Sequence, residues 1–238
     1  LAQVRLPDLP PRLYRYCGLD RPNDMEHEID AFQKCYVHAA TYKGMNDPME
    51  GFYSPSGRLT REPQWRETYR DILNAKRTIG IACFSETYDN ELMWAHYADN
   101  YRGICIGYSA VKLRDDLADS ARLVRVAYAE TPIYLSKYDK DDIIKAAQKI
   151  LSQKKYNWAY EREWRVMGDY PGQLACQGDV VTDVYFGSRI SHDRKDRILH
   201  GMGGRNIKFH QMKVSGYRHS WSRIKRPKVV QAEEPAPV

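Results

Sequence analysis

The sequence predicts a mixed α+β fold, and three observations carry that expectation. Short apolar strand-like runs and amphipathic helical runs are interspersed without strict alternation. Neither a GxGxxG nor a GKS/T stretch occurs, so the phosphate-binding patterns of doubly wound and P-loop sheets are missing. No long Gly/Ser/Pro linker divides the 238 residues, which places them in a single domain.

The expected elements follow in order. Leu1–Pro11 is Pro-rich and reads as an extended arm. Leu13-Tyr14-Arg15-Tyr16 alternates and ends near Gly18, so it is a first strand. Asn23–Lys34 is a short helix and Cys35–Ala39 a strand. Asn46-Asp47-Pro48-Met49-Glu50 reads as a helix entry, with Asp47 as cap, Pro48 in the first helical position and Glu50 three residues after the cap. Ser54-Pro55-Ser56-Gly57 then forces a loop. Trp65, Tyr69, Ile72 and Leu73 recur at helical spacing within Glu62–Lys76. Thr78–Ser85 is a buried strand. Asp89 or Asn90 caps a helix running to Asn100, which Gly103 stops. Strands are expected at Ile104–Tyr108 and Leu123–Tyr128, and a helix over Asp141–Lys155 with Ile143, Ala147, Ile150 and Leu151 as its stripe. Glu163–Met167, Val180–Phe186 and Ile207–Val214 complete the strands, with a short helix at Asp193–His200. The domain is expected over residues 12–216. Residues 217–238 read as a tail, basic through Arg218–Lys228 and then Pro/Ala-rich and disordered.

Composition narrows the function classes. The 18 Tyr and 5 Trp supply bulky area whose hydroxyls and N–H groups need partners, which suits a polar cleft. The net charge of +6 permits an anionic ligand or nucleic acid without demanding one. Five cysteines, an odd number with no CxxC pair, argue for a reducing compartment and against a disulfide scaffold or a zinc site. No apolar run approaches a membrane span, and Leu1–Pro11 lacks the pattern of a signal peptide. The expectation is a cytoplasmic, soluble protein.

The densest chemistry lies in Tyr160-Glu161-Arg162-Glu163-Trp164-Arg165. Read as a strand, it turns Glu161 and Glu163 to one face, about 7 Å apart at Cα. Like charges side by side suit a catalytic carboxylate with a helper. Pairing with Arg162 and Arg165 is the plainer alternative. Met93-Trp94-Ala95-His96-Tyr97-Ala98 is the second dense stretch. Trp94 or Tyr97 could stack on a ring and His96 could carry a proton, although aromatics at helical spacing more often pack a core. No HExxH-type spacing supports a metal at His96. An acidic Mg²⁺ nuclease site from Asp47, Glu50, Asp89 and Glu163 is conceivable, but no spacing singles it out.

The stretches Leu13–Tyr16, Asn46–Gly51, Cys83-Phe84-Ser85, Met93–Ala98 with Gly103, Lys155–Trp158 leading to Glu161–Arg165, and Tyr185-Phe186-Gly187 together resemble the bacterial family called domain of unknown function 2971. Members often sit among bacterial defence or toxin genes. A strand Arg15, a strand-end Ser85 and a late Glu161-x-Glu163 also resemble, remotely, the order used by arginine-serine-glutamate ADP-ribosyltransferases. Cys83-Phe84-Ser85-Glu86 stands where that pattern has Ser-Thr-Ser.

The second resemblance implies a split mixed or antiparallel sheet with flanking helices, NAD as substrate, and ADP-ribose transfer or NAD hydrolysis. Glu163 would be the catalytic carboxylate with Glu161 as helper, although either could lead. Ser85 would orient the site and Arg15 would hold the pyrophosphate through paired hydrogen bonds. Tyr14, Trp94, His96 and Tyr97 would wall the pocket. The acceptor, protein or nucleic acid, and any regulatory partner stay open. The competing expectations are a nucleic-acid- or protein-binding module without turnover, and the metal-dependent nuclease.

Overall fold

The structure, a computed structural model, describes residues 8–117 and 121–224. Most of the expected arm and the Pro/Ala-rich end lie outside those residues. The first half of the chain runs β1 Arg12–Cys17, α1 Asp24–Lys34, β2 Tyr36–Thr41, β3 Tyr53–Pro55, α2 Gly57–Thr60 and α3 Trp65–Thr78. It continues with β4 Gly80–Ser85, α4 Glu91–Tyr97, β5 Ile104–Ser109 and α5 Ala110–Asp116. Next come β6 Ala121–Arg125, β7 Ala127–Ala129, β8 Ile133–Leu135, α6 Ile143–Ile150 and β9 Gln153–Lys155. A 3₁₀ turn, Tyr156–Glu161, leads into β10 Glu163–Gly168. β11 Gly172–Ala175, β12 Val181–Phe186, α7 His192–Gly201, β13 Lys208–Ser215 and β14 Arg218–Ile224 complete it.

The fold is mixed α+β. The main sheet runs β11-β2-β4-β1-β5-β12-β13-β14, with β10 and then β6 on the other edge of β4. The β12–β13 pair is parallel and the remaining pairs of this sheet are antiparallel. Two small parallel pairs, β3–β8 and β7–β9, stand apart.

β4 is the branch point. Its start pairs with β2, Ala40 opposite Ile81, and its end pairs with β1, Tyr14 opposite Ser85. Between them, Ala82, Cys83 and Phe84 pair on the β10 side only. β1 and β2 therefore part along β4, and the sheet opens there.

Alternation along the strands assigns the two faces. Leu13, Cys17, Ala82, Phe84, Trp164 and Val166 belong to the largest core cluster, which also takes Met25 and Phe32 of α1, Leu113 of α5 and Ile198 of α7. The opposite face carries Tyr14, Cys105 and Tyr185 under Trp94 of α4 and Ala98, the residue just after it. Beside them, Ile81 and Met167 pack under Ala75 of α3 and Ala147 of α6.

Several expectations change. Asn46–Glu50 forms a turn, not a helix: the Asp47 side chain accepts from the Met49 N–H at 2.9 Å and the Glu50 N–H returns to the Asp47 carbonyl at 3.0 Å. The helix expected to run to Lys155 stops at Ile150, because Gln153–Lys155 pairs with β7 instead. Leu123–Tyr128 divides into β6 and β7. Arg218–Ile224, expected in a tail, is a strand of the sheet paired along its length with β13.

α4 also ends early, at Tyr97. Asp99, Asn100 and Tyr101 all take positive φ, at 55°, 50° and 69°, which turns the chain back on itself. Two glycines permit this tight return. A Cβ on Gly103 would lie 2.1 Å from the Cys17 carbonyl oxygen, and one on Gly187 would lie 2.1 Å from that of Tyr101. Gly187→Ala is expected to cost about 1–3 kcal/mol by forcing backbone apart, read as a lowered urea midpoint. An unchanged midpoint would contradict the close approach.

Candidate active site

A cavity of about 250 Å³ occupies the opening beside β4. Tyr14 and Tyr16 of β1, Cys83 and Ser85 of β4, and Met93 and Tyr97 of α4 are among its walls. Lys154, Glu161 and Glu163 close one side.

Glu161 and Glu163 do come together, but not as neighbours on a strand. Glu161 ends the 3₁₀ turn, Arg162 takes a left-handed conformation with φ 46°, and β10 begins only at Glu163. That kink, not strand alternation, brings both carboxylates to the Lys154 ammonium, 2.6 Å from Glu161 and 3.5 Å from Glu163. β9 delivers Lys154 beside Tyr128 of β7, whose hydroxyl accepts from the Glu163 N–H at 2.8 Å. The Lys154 ammonium also lies 4.5 Å from the Trp158 ring centre.

The two carboxylates have different surroundings. Arg165 grips Glu163 with two hydrogen bonds of 2.8 and 3.1 Å, and grips Glu50 with two more of 2.7 and 3.2 Å. Burial would push the Glu163 carboxyl up, but Arg165 and Lys154 outweigh it and hold it at about 2. Glu161 has no guanidinium. Burial pushes its carboxyl up, Lys154 opposes that, and nearby Glu163 adds to it, so the net direction is upward. The Tyr97 hydroxyl donates to its other oxygen. Glu50, Glu163, Glu161, Arg165 and Lys154 are all buried. They form one hydrogen-bonded chain of three carboxylates and two cations.

The remaining predicted residues fall as follows. Ser85 is buried, donates to the Glu161 main-chain carbonyl at 2.6 Å and accepts from Thr87 N–H at 3.3 Å. Arg15 touches the cavity, but it alternates with Tyr14 and so belongs to the face opposite Ser85. It stands 3.7 Å from Glu28 and 3.5 Å from the His38 carbonyl. Trp94 is fully buried in the aromatic cluster and donates to the Tyr88 carbonyl at 2.8 Å, so it is core and does not line the cavity. His96 is exposed, with its Nδ1 3.0 Å from the Tyr160 hydroxyl. Arg162, weighed as a partner for the Glu pair, is exposed.

Sequence reading missed Lys154, because Gln153-Lys154-Lys155 resembles the solvated end of a helix. It weighed Glu50 as part of a helix cap or as a metal ligand, and not as a partner of Arg165. The four carboxylates of the nuclease reading are otherwise engaged: Arg165 binds Glu50 and Glu163, Asp47 caps its own turn, and Asp89 accepts from Trp221 at 2.7 Å. Among the described residues, no group of three or more His, Cys, Asp or Glu side chains is arranged to hold a metal ion. Trp221, expected in a basic surface segment, packs against Trp94 and Tyr185.

Comparison with known proteins adds one finding. The chain is similar over residues 93–166 to a family described as "Protein of unknown function (DUF2971)". The matched stretch runs from Met93 of α4 through Lys154 to the Glu161–Arg165 segment, so it includes most of the charged chain. No curated protein and no solved structure matches the sequence. No helix among the described residues is long and apolar enough to cross a membrane.

The opposed shifts make a pH prediction. An unfolded glutamate titrates near about 4.3. Glu163 is depressed below this, so its contribution to stability is complete above the unfolded value and is lost as the pH falls toward about 2. Glu161 is raised, so its contribution is complete below the unfolded value and is lost as the pH rises through the folded value. In chemical denaturation across pH, Glu163→Gln is expected to flatten the acid-side loss, and Glu161→Gln the decline above the unfolded value. Wild-type slopes in both variants would contradict the assignment.

Proposed function

We propose that this chain breaks the N-glycosidic bond of NAD, passing ADP-ribose to an acceptor or to water. The observation that carries this reading is Glu161: a buried carboxylate at a cavity wall, ending a chain in which carboxylates outnumber cations. The nicotinamide would leave C1 of its ribose with the bonding pair, becoming neutral. The positive charge left on the ribose would be met by Glu161, with Glu163 behind it. The acceptor X–H, or water, would then bond to C1 and yield its proton to Glu161.

The roles differ from those the resemblance implies. Glu163 is clasped by Arg165 and serves to hold Lys154, so Glu161 takes the lead. Ser85 fixes the main chain of Glu161. Tyr14, Tyr16 and Tyr97 offer ring and hydroxyl contacts. The cavity is smaller than the roughly 300–1,000 Å³ of common ligand pockets, so it suits the nicotinamide-ribose end, with the rest of the dinucleotide outside. Arg15 would have to leave Glu28 to reach the pyrophosphate.

A second reading, a nucleic-acid- or protein-binding module without turnover, is favoured by one observation. The hydrogen-bonding capacity of Glu163 and Arg165 is spent within the protein, as a purely structural network would require. Exposed Arg218 and the net charge of +6 would then serve binding.

Incubation with NAD and chromatographic measurement of free nicotinamide separates the two. Wild-type release is expected, reduced by about 10²-fold or more in Glu161→Gln. Absence of release together with absence of any thermal shift by NAD would sink the enzymatic reading. Salt-steep binding of DNA or RNA would then favour the module.

A further inference from the structure

Glu50 enters the site from a loop 115 residues away from its partner Arg165. The loop turns sharply to do so, with Gly51 at φ +76° and the Met49 carbonyl accepting from the Phe52 N–H at 3.3 Å. The Glu50 carboxylate is 3% exposed and meets both terminal nitrogens of a fully buried guanidinium. Arg165 has one remaining carboxylate partner, Glu163, and Glu163 shares Lys154 with Glu161. The contacts therefore run unbroken from Glu50 through Arg165, Glu163 and Lys154 to Glu161.

We propose that Glu50 is a positioning residue: through Arg165 and Glu163 it fixes Lys154, and through Lys154 it holds the Glu161 carboxylate at the cavity wall. Its importance for catalysis rests on the reading that Glu161 is the reacting carboxylate. Glu50 itself touches no part of the cavity beside β4.

Electrostatics gives the sign. The charged or titratable groups facing Glu161 are Tyr97 from α4, Lys154 from β9, Glu163 from β10 and Tyr160 from its own turn, with Tyr128 of β7 beyond Glu163. Removing the negative charge of Glu50 leaves Arg165 less neutralised. The field at Glu161 becomes more positive, which favours its ionised form and moves its titration down.

The test uses the full chain labelled with ¹³C at glutamate side-chain carboxyls, with the Glu161 resonance assigned by its loss in Glu161→Gln. Glu50→Gln is expected to lower the Glu161 midpoint by about half a pH unit or more. Glu50→Asp keeps the charge but shortens the arm, so it loosens Lys154 from Glu161 with the field nearly unchanged, and a small upward shift is expected. It stands alone as the test if Glu50→Gln fails to fold. The acid limb of the kcat profile for nicotinamide release should follow the same order, with KM for NAD changed by less than about twofold. A Glu161 midpoint unmoved in every Glu50 variant that folds overturns the proposal. The NMR titration needs no turnover. If wild type releases no nicotinamide, the proposed reaction falls while the titration still judges Glu50. If release occurs and the midpoint is unmoved, the reverse holds.

Discussion

Arg165 is the constraint on which the site depends. It stands in β10, a strand buried along its whole length, and its own side chain is fully buried. Taking a guanidinium out of water costs several kcal/mol unless carboxylates meet it in good geometry. Glu163, two residues before it, supplies one on the same face of the strand. Glu50 supplies the other from the far side. The loop carrying Glu50 is accordingly a tight turn aimed at β10, even though its Asp-Pro-x-Glu sequence would start a helix elsewhere.

Once Arg165 has claimed Glu163, the two carboxylates of Glu161-x-Glu163 cannot share one role. Glu163 is depressed and stays ionised. Glu161, held by Lys154 and Tyr97 without a guanidinium, is raised. Titratable neighbours whose environments separate them in this way are the usual basis for dividing acid–base tasks in a site. Here the separation follows from Arg165, which stands two residues after Glu163 on the same strand and clasps that carboxylate alone of the two.

Strong local signals were readable in the sequence. The alternation of Leu13–Tyr16, the apolar run of β4 and the stripe of α3 all name their elements, because burial on one face imposes a period. The Glu pair was found for the right types of residue and for the wrong geometry. Its convergence comes from Arg162 in a left-handed turn, which no periodicity announces. Trp94, weighed both as a pocket wall and as core, is core; the two roles share the same spacing and only burial separates them. Lys154 was unreadable because its burial depends on β9 pairing with β7, a contact made only in three dimensions. The Arg218–Ile224 strand was hidden by its charges. An edge strand needs only one apolar face, and Trp221 satisfies it.

The balance of charge bears on whether this network serves stability alone. For stability, well-packed apolar residues do as well as a buried ion network or better. The bonded chain carries one carboxylate more than its cations. Lys76 is also buried, but it donates to the Gly51 carbonyl at 2.5 Å and stands 5.0 Å from the Tyr42 ring centre. Burial lowers its pKa, with Glu50 only partly opposing that. Both ends of the chain are therefore carboxylates, Glu50 away from the cavity beside β4 and Glu161 at its wall. The Glu161 end is the one that lines the cavity, where Lys154 and Tyr97 hold the carboxylate without a guanidinium.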